Sequence, residues 1–230
     1  MNKISVIGAN GYIGSHIVKH LSTNNSIIIN KITRGDSLDS IESSDHVIHV
    51  ANPAKRFKAK NDPEWDFNET VLKTKLIKDT CDKLKVKLTL VSSISARTQL
   101  NTIYGLNRRS AELIMNNNDL ILRVGPVYGG NKNVGPLYDI YNNREVFVAA
   151  ETKSAYANVN YYAKKIVELT INNEKGILEL GAKDFLVLKD FKKTFSSISK
   201  FSGEKDHQVP VNTFEDSPSV KEVYDYFKNL

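Results

Sequence analysis

Cysteine is almost absent from this chain: of 230 residues only Cys81 is one. A lone thiol closes no bridge within the chain, so a disulfide-stapled scaffold is excluded and nothing suggests secretion. Long apolar runs are missing too. None reaches the roughly 20 residues a membrane-spanning helix needs, and the chain enters a strand at once with no signal-peptide pattern. The expectation is a cytoplasmic protein with no membrane partner. The net charge is +6, yet no run of Lys and Arg is long enough to argue for nucleic acid. The basic patches at 55–60 and 83–87 read as solvated faces, and an anionic small ligand suits the charge better. There are no internal repeats and no low-complexity tract. The 40% hydrophobic and 25% charged content is ordinary for a globular protein. A chain of this length can bury roughly 70% of its unfolded surface.

What the chain does have begins at Ile4. Ile4, Val6 and Ile7 read as a short buried strand, followed by Gly8, Gly11 and Gly14 in the order G-x-x-G-x-x-G. Ile13, Ile17, Val18 and Leu21 then lie along one face of a helix. A strand turning sharply into a helix leaves backbone N–H groups unpaired at the helix start, and the helix dipole adds to their preference for an anion. Gly8 permits the turn, Gly11 lets backbone approach a pyrophosphate, and Gly14 lets the helix pack close to the strand. The plainer alternative is a turn with a close helix crossing.

The second strand is expected at 27–32 and ends in Thr33-Arg34-Gly35-Asp36. In a dinucleotide fold the residue past this strand meets the adenosine ribose. An acid there favours NAD, whereas an arginine pairs with the extra phosphate of NADP. Arg34 makes NADP (as NADPH) the preferred cofactor and leaves NAD open; the alternative is a solvated loop arginine. A third strand at 45–50 ends in Ala51-Asn52-Pro53, which would face the cofactor. His46 and His49 alternate with apolar residues and read as half-buried strand residues rather than metal ligands. A basic loop at 55–63 precedes a long helix from Glu64 to about Leu84. A strand at 87–91 ends in Ser92-Ser93, a helix begins near Tyr104, and a strand at 119–124 runs into Gly125-Pro126-Val127-Tyr128. Beyond Gly130 the pattern loosens: a strand at 146–149, helices at 161–171, 188–201 and 220–230, and a strand at 177–180. Strands alternating with helices imply an α/β chain with a doubly wound parallel sheet. We expect a single domain over 1–230, with a dinucleotide-binding core over 1–130 and a small substrate-capping portion over 131–230.

Tyr104 and Arg108 stand four residues apart on one helix, one turn from each other. A nearby cation stabilises the phenolate, so the phenol can give or take a proton closer to neutral pH. A serine at a neighbouring strand end, Ser93, can bond the same substrate oxygen. These motifs together resemble the short-chain dehydrogenase/reductase superfamily, within it the extended branch of NAD(P)-dependent epimerases, dehydratases and nucleotide-sugar reductases. The resemblance rests on Gly8–Gly14, on 45–51, on Asp66-Phe-Asn-Glu-Thr70, on Val91-Ser-Ser93, on Tyr104 to Glu112, on 122–129 and on 157–163.

The resemblance implies a Rossmann fold and a Tyr104 that exchanges a proton with the sugar oxygen. Ser93 would orient that oxygen, and the residue at 108 would hold the nicotinamide ribose and tune Tyr104. The backbone of Gly8, Asn10, Gly11, Tyr12, Ile13 and Gly14 would hold the pyrophosphate, with Ala51 and Asn52 facing the cofactor. Pro126 and Val127 would line the nicotinamide. The implied partner is a nucleotide-linked sugar, and a homodimer through the helices near 64–85 and 103–117 is expected. Arg108 stands where the branch has lysine, Asn160 where aspartate is usual, and the stretch between 33 and 45 is expected to lack one strand of the branch. Three readings follow: a reductase of a nucleotide-linked 4-keto-6-deoxysugar in surface polysaccharide precursor synthesis, an NAD-dependent sugar epimerase, or a non-catalytic dinucleotide-binding module.

Overall fold

A computed structural model describes residues 2–230. By the density of internal packing the chain divides into two compact units. The first holds the chain up to Arg123 together with Tyr162–Leu178; the second holds Val124–Tyr161 and Glu179–Leu230.

The sheet of the first unit is built from β1 (Asn2–Ile7), β2 (Ile27–Ile32), β3 (His46–His49), β4 (Lys87–Ser93), β5 (Leu120–Val124) and β9 (Gly176–Leu180), in the order β2-β1-β3-β4-β5-β9. β1 pairs in parallel with β2 and β3, and β3 in parallel with β4. This is the doubly wound α/β sheet expected from the alternation of strand and helix. β2 is the edge, so no strand fills the place of the one missing between 33 and 45; one 3-10 turn, Leu38–Ile41, lies there instead.

The strand order reverses at β1. The chain moves outward to β2, returns to β3 on the other side of β1, and continues to β4 and β5. α1 (Tyr12–Leu21) makes the first crossover, from β1 to β2. The crevice beyond the carboxyl ends of β1 and β3 is the switch point where such sheets bind ligands. Gly8 and Val50 follow directly on the paired residues Ile7 and His49.

Between β3 and β4 run α2 (Arg56–Asn61), α3 (Pro63–Phe67) and α4 (Lys73–Leu84), the last two joined without a break through a π-turn, Asn68–Leu72. The long helix expected from Glu64 is thus real, with one residue inserted in its hydrogen-bond ladder. The basic loop expected at 55–63 instead folds into α2. A proline at the first position of α3 and the Asp62 carboxylate, which accepts from the Trp65 N–H at 3.1 Å, start the next helix. α5 (Ser95–Thr98) and α6 (Ile103–Leu113) follow β4.

The core under β1, β2 and β3 gathers Ile7, Ile32, Ile41, Val47, Ile77, Cys81 and Leu88. Burial pushes the Cys81 thiol up to about 12, so it is an inert core side chain. His46 and His49 are both buried. Nε2 of His46 lies 2.9 Å from Thr89 Oγ1 and Nε2 of His49 3.2 Å from Thr74 Oγ1. Glu112, fully buried, accepts from Ser92 at 2.7 Å and from both Nε and Nη2 of Arg123, at 2.9 and 2.6 Å. This separates the two serines at the end of β4: Ser92 is structural, and Ser93 faces Tyr104.

The second unit contains β6 (Val127–Tyr128), α7 (Pro136–Tyr141), β7 (Lys153–Ser154), β8 (Ala157–Asn158), β10 (Leu186–Val187), α9 (Leu188–Thr194) and α10 (Lys221–Lys228), while α8 (Val159–Ile171) leads back into the first unit. Its core is aromatic: Tyr138, Phe191 and Phe227 are buried, and Phe227 lies within 5.5 Å, centroid to centroid, of Tyr138, Tyr141, Phe191 and Tyr226. Two expectations fail here. The helix expected over 188–201 ends at Thr194, because Ser196 adopts φ 50° and Ser197 donates from Oγ to the Ile140 carbonyl at 2.6 Å, drawing the chain out of the helix. The strand expected at 146–149 is a single bridge between Val146 and Phe201.

Candidate active site

The glycine turn has the geometry its sequence implies. Gly8 takes φ 94°, and a Cβ there would lie 2.9 Å from the Ala51 Cα and N. Gly11 is the N-cap of α1 and supplies no side chain to it, and no acidic residue lies in the first helical turn. The Gly11 N–H bonds to the Gly8 carbonyl at 2.9 Å and the Gly11 carbonyl accepts from Ser15. The N–H groups of the first turn, from Tyr12 to Gly14, therefore lie at a dipole end with no capping carboxylate, beside an exposed Asn10 and Gly11. Asn52, at the end of β3, donates from Nδ2 to the Val91 carbonyl at 3.4 Å, while its Oδ1 is a buried acceptor with no partner among the described residues. A cradle that a Cβ would fill and an orphaned acceptor beside it fit a dinucleotide's pyrophosphate and polar edges.

Past β2, Asp36 folds back on its own turn: its Oδ2 accepts from the Thr33 N–H at 2.6 Å and from Thr33 Oγ1 at 2.8 Å, and these bonds lower its carboxyl below the usual value. Arg34 points away, with its side chain 85% exposed and an ion pair to Glu69 at 3.2 Å. Glu69 is also held by Lys73 at 2.8 Å.

Tyr104 and Arg108 meet on α6 as their spacing implies. The Arg108 guanidinium lies 4.4 Å from the Tyr104 ring centroid and is 2% exposed. It donates from Nη1 to Thr70 Oγ1 and from Nη2 to the Pro53 carbonyl. Ser93 and Arg108 lie beside the Tyr104 phenol and favour its ionised form. Ser93 Oγ also donates to Ser95 Oγ at 3.2 Å and accepts from the Ser95 N–H at 3.2 Å. Burial by itself raises the Tyr104 phenol. The charges of Arg108 and Arg56 and the nearby Ser93 hydroxyl outweigh it, leaving the phenol below the ordinary tyrosine value.

Sequence reasoning missed Arg56. Its guanidinium lies 5.3 Å from the same ring and donates to Ser95 Oγ at 2.9 Å. It was read as part of a solvated basic patch, and nothing local ties it to Tyr104. Gly105 was missed too: a Cβ there would come within 2.1 Å of the Gln99 carbonyl oxygen, so only glycine lets α6 start against α5.

Pro126 and Val127 belong to the second unit. The Pro126 carbonyl accepts from the Ala157 N–H at 3.1 Å, and Val127 pairs with Ala157 across β6 and β8. Tyr128 is a packing residue there, 5.2 Å from the Tyr226 ring.

No protein-family model and no curated protein sequence matches the chain. Solved structures do. A dTDP-4-dehydrorhamnose reductase from Clostridium acetobutylicum superposes with a TM-score of 0.79 at 14% identity, over 99% of this chain and 98% of that one. A UDP-glucuronic acid 4-epimerase from Bacillus cereus, in complex with UDP-glucuronic acid and NAD, gives 0.77 at 17% identity over 99% of each chain. MoeE5, in complex with UDP-glucose and NAD, gives 0.76 at 16% identity, over 96% of this chain and 92% of that one. At such identities the likeness is one of fold: the chain has the Rossmann-like α/β fold of these nucleotide-sugar enzymes along nearly its whole length.

Proposed function

We propose that the chain is an NADPH-dependent short-chain dehydrogenase/reductase that reduces the keto group of a nucleotide-linked sugar. One observation carries the reading. Arg108 lies 4.4 Å from the Tyr104 ring centroid and donates to the Pro53 carbonyl, two residues beyond the Ala51 that packs on Gly8, so the acid/base group and the dinucleotide turn are tied through one buried side chain.

The bound nicotinamide would supply the hydride. The first turn of α1 holds the pyrophosphate. Tyr104 donates its phenolic proton to the substrate oxygen, and Ser93 bonds and orients that oxygen. Arg108 remains charged throughout, because a guanidinium does not give up its proton; its part is to hold the phenolate that the transfer leaves behind. A reductase needs only this one proton donor and one hydride. The enzymes of like fold act on, or are bound to, nucleotide sugars by their names, which supports that substrate class; a 4-keto-6-deoxysugar is the member we favour.

Arg34 carries the preference for NADPH. Its pair with Glu69 is exposed and worth at most about 1 kcal/mol, so a 2′-phosphate can draw it away. The test is NADPH and NADH titration of the wild type and Arg34→Ala, followed by NADPH consumption with dTDP-linked 4-keto-sugars. We expect NADPH to bind more tightly, and Arg34→Ala to lose about tenfold for NADPH and little for NADH. No melting shift with either dinucleotide at millimolar concentration overturns the nucleotide reading. The second reading, an NAD-dependent epimerase, is favoured by the equally full superposition on the Bacillus cereus enzyme. NAD retained through purification selects it.

We also infer a homodimer. Phe67, Leu72 and Leu76 on α3 to α4, and Ile103, Leu106 and Leu113 on or beside α6, are exposed apolar residues of two helices that pack on each other. A second copy laid on them removes that surface from water. Sedimentation velocity is expected to give a dimer for the wild type and a monomer for Leu76→Asp.

A further inference from the structure

A ring of hydrogen bonds, closed through the loop at 51–53, runs behind Tyr104, and two of its members, Thr70 and Thr74, were given no role from sequence. Arg108 donates to Thr70 Oγ1 and to the Pro53 carbonyl. Thr74 donates from Oγ1 to the Thr70 carbonyl at 2.6 Å. Having given its proton to a carbonyl, the Thr74 hydroxyl is the acceptor for His49 Nε2 at 3.2 Å. His49 therefore carries its proton on Nε2, and its Nδ1 accepts from the Ala51 N–H at 3.4 Å. Ala51 and Pro53 belong to the same loop, so the ring closes on itself. Thr70, Thr74, His49 and Arg108 are all buried. Burial, with the charges of Lys73 and Arg108, holds His49 down to about 3, so the ring keeps one protonation state over the working range.

The π-turn makes the ring possible. At Asn68–Leu72 the ladder skips a residue, and the Lys73 N–H reaches back to the Asn68 carbonyl. Single π-turns inside helices are frequent at functional sites. Here the turn carries Thr70, whose carbonyl accepts from Thr74 Oγ1.

We propose that Thr70 is a positioning residue: its hydroxyl, carried on the π-turn, fixes the Arg108 guanidinium against the Tyr104 phenol and against the loop at 51–53. This rests on the reading of Tyr104 as the proton donor and deepens it. An arginine is longer than a lysine and presents a planar fork, so it needs two fixed acceptors to hold one orientation. Thr70 and the Pro53 carbonyl are those acceptors. Arg108 reaches Tyr104 from α6, Arg56 from α2 and Ser93 from β4, while Thr70 on the π-turn reaches Arg108. Loss of the Thr70 hydroxyl releases one arm of the fork and lets the charge drift from the phenol.

The test is tyrosinate titration of the protein without ligand, followed by ultraviolet absorbance, with the Tyr104→Phe trace subtracted to isolate this phenol from the other nine of the ten tyrosines. Thr70→Val is expected to move the Tyr104 midpoint upward, and Thr70→Ser to return it to the wild-type position. Thr70→Ala makes the same comparison if valine prevents folding. Turnover of Thr70→Val is expected to fall by about 10- to 100-fold in kcat with the KM for dinucleotide little changed. A folded Thr70→Val or Thr70→Ala with the wild-type midpoint overturns the proposal, as does a Thr70→Ser that shares the valine shift. A wild type whose Tyr104 ionises as an ordinary tyrosine also overturns it. The expected pattern in a chain that binds no dinucleotide leaves the network standing and overturns the proposed function instead.

Discussion

Gly14→Ala is expected to abolish dinucleotide binding and to lower the melting temperature sharply. The added Cβ would lie 2.1 Å from the Gly8 carbonyl oxygen, 2.9 Å from the Gly8 carbonyl carbon and 3.2 Å from Val50 Cγ1. The first two are backbone atoms, and neither can rotate away. Relief requires α1 to lift from β1. Ile17 and Leu21 of that helix are fully buried, so lifting it opens gaps along its inner face. Overpacking of this kind costs typically 1–3 kcal/mol and more where backbone must move, so we expect about 3 kcal/mol here. The same movement carries the first-turn N–H groups away from Gly8 and dismantles the anion site. Gly35→Ala is the control. Gly35 has φ 99° but nothing within 4 Å of an added Cβ, so alanine there meets backbone strain alone, about 1–2 kcal/mol, and leaves the cradle unchanged. Urea denaturation and NADPH titration of both variants separate the two effects. Equal losses in the two, or NADPH binding retained in Gly14→Ala, would count against the cradle.

The difference between these glycines marks what was legible in the sequence. The cradle could be read because all its determinants lie within the eighteen residues from Ile4 to Leu21: a strand, a spacing of glycines and an apolar helical face. Tyr104 and Arg108 were legible for the same reason, being one turn apart on one helix. The parts that escaped are those whose partners are far along the chain. Thr70 meets Arg108 across 38 residues and Arg56 meets Ser95 across 39. Neither separation leaves a local trace, and a threonine in a helix or an arginine among lysines has an ordinary explanation at hand. His49 was recognised as a strand residue, but its bond to Thr74 depends on the register of β3 against α4. Helix ends failed where serine and asparagine side chains compete for the backbone. α6 ends at Leu113, short of the 103–117 expected, since the Asn116 N–H is taken by the Asp119 carboxylate at 2.9 Å. The missing strand between 33 and 45 was legible as a shortage of residues, which no packing can make up.

Tyr104→Phe is expected to leave the fold and dinucleotide binding in place and to lower kcat for keto-sugar reduction by about 100- to 10,000-fold. The buried ring lies 4.4 Å from the Arg108 guanidinium and 5.3 Å from that of Arg56, and phenylalanine keeps the ring in both contacts. What is lost is the hydroxyl, the group whose ionisation Ser93 and Arg108 favour. Arg108 keeps Thr70 and Pro53, and Ser93 keeps Ser95, so no buried donor is orphaned and stability should change by only about 1 kcal/mol. Arg108→Ala is not equivalent, because it removes the donor from the buried Thr70 hydroxyl and the half-buried Pro53 carbonyl at once and confounds chemistry with folding. The pH profile supplies the sharper reading. Reduction needs the phenol protonated, so the wild-type rate falls as pH rises through the Tyr104 value, which lies below that of an ordinary tyrosine. Oxidation of the alcohol needs the phenolate, so its rate rises through the same point. Both limbs should vanish in Tyr104→Phe, leaving a flat residual rate set by binding and orientation alone. A limb that survives the substitution belongs to another group, and Tyr104 is then not the proton donor.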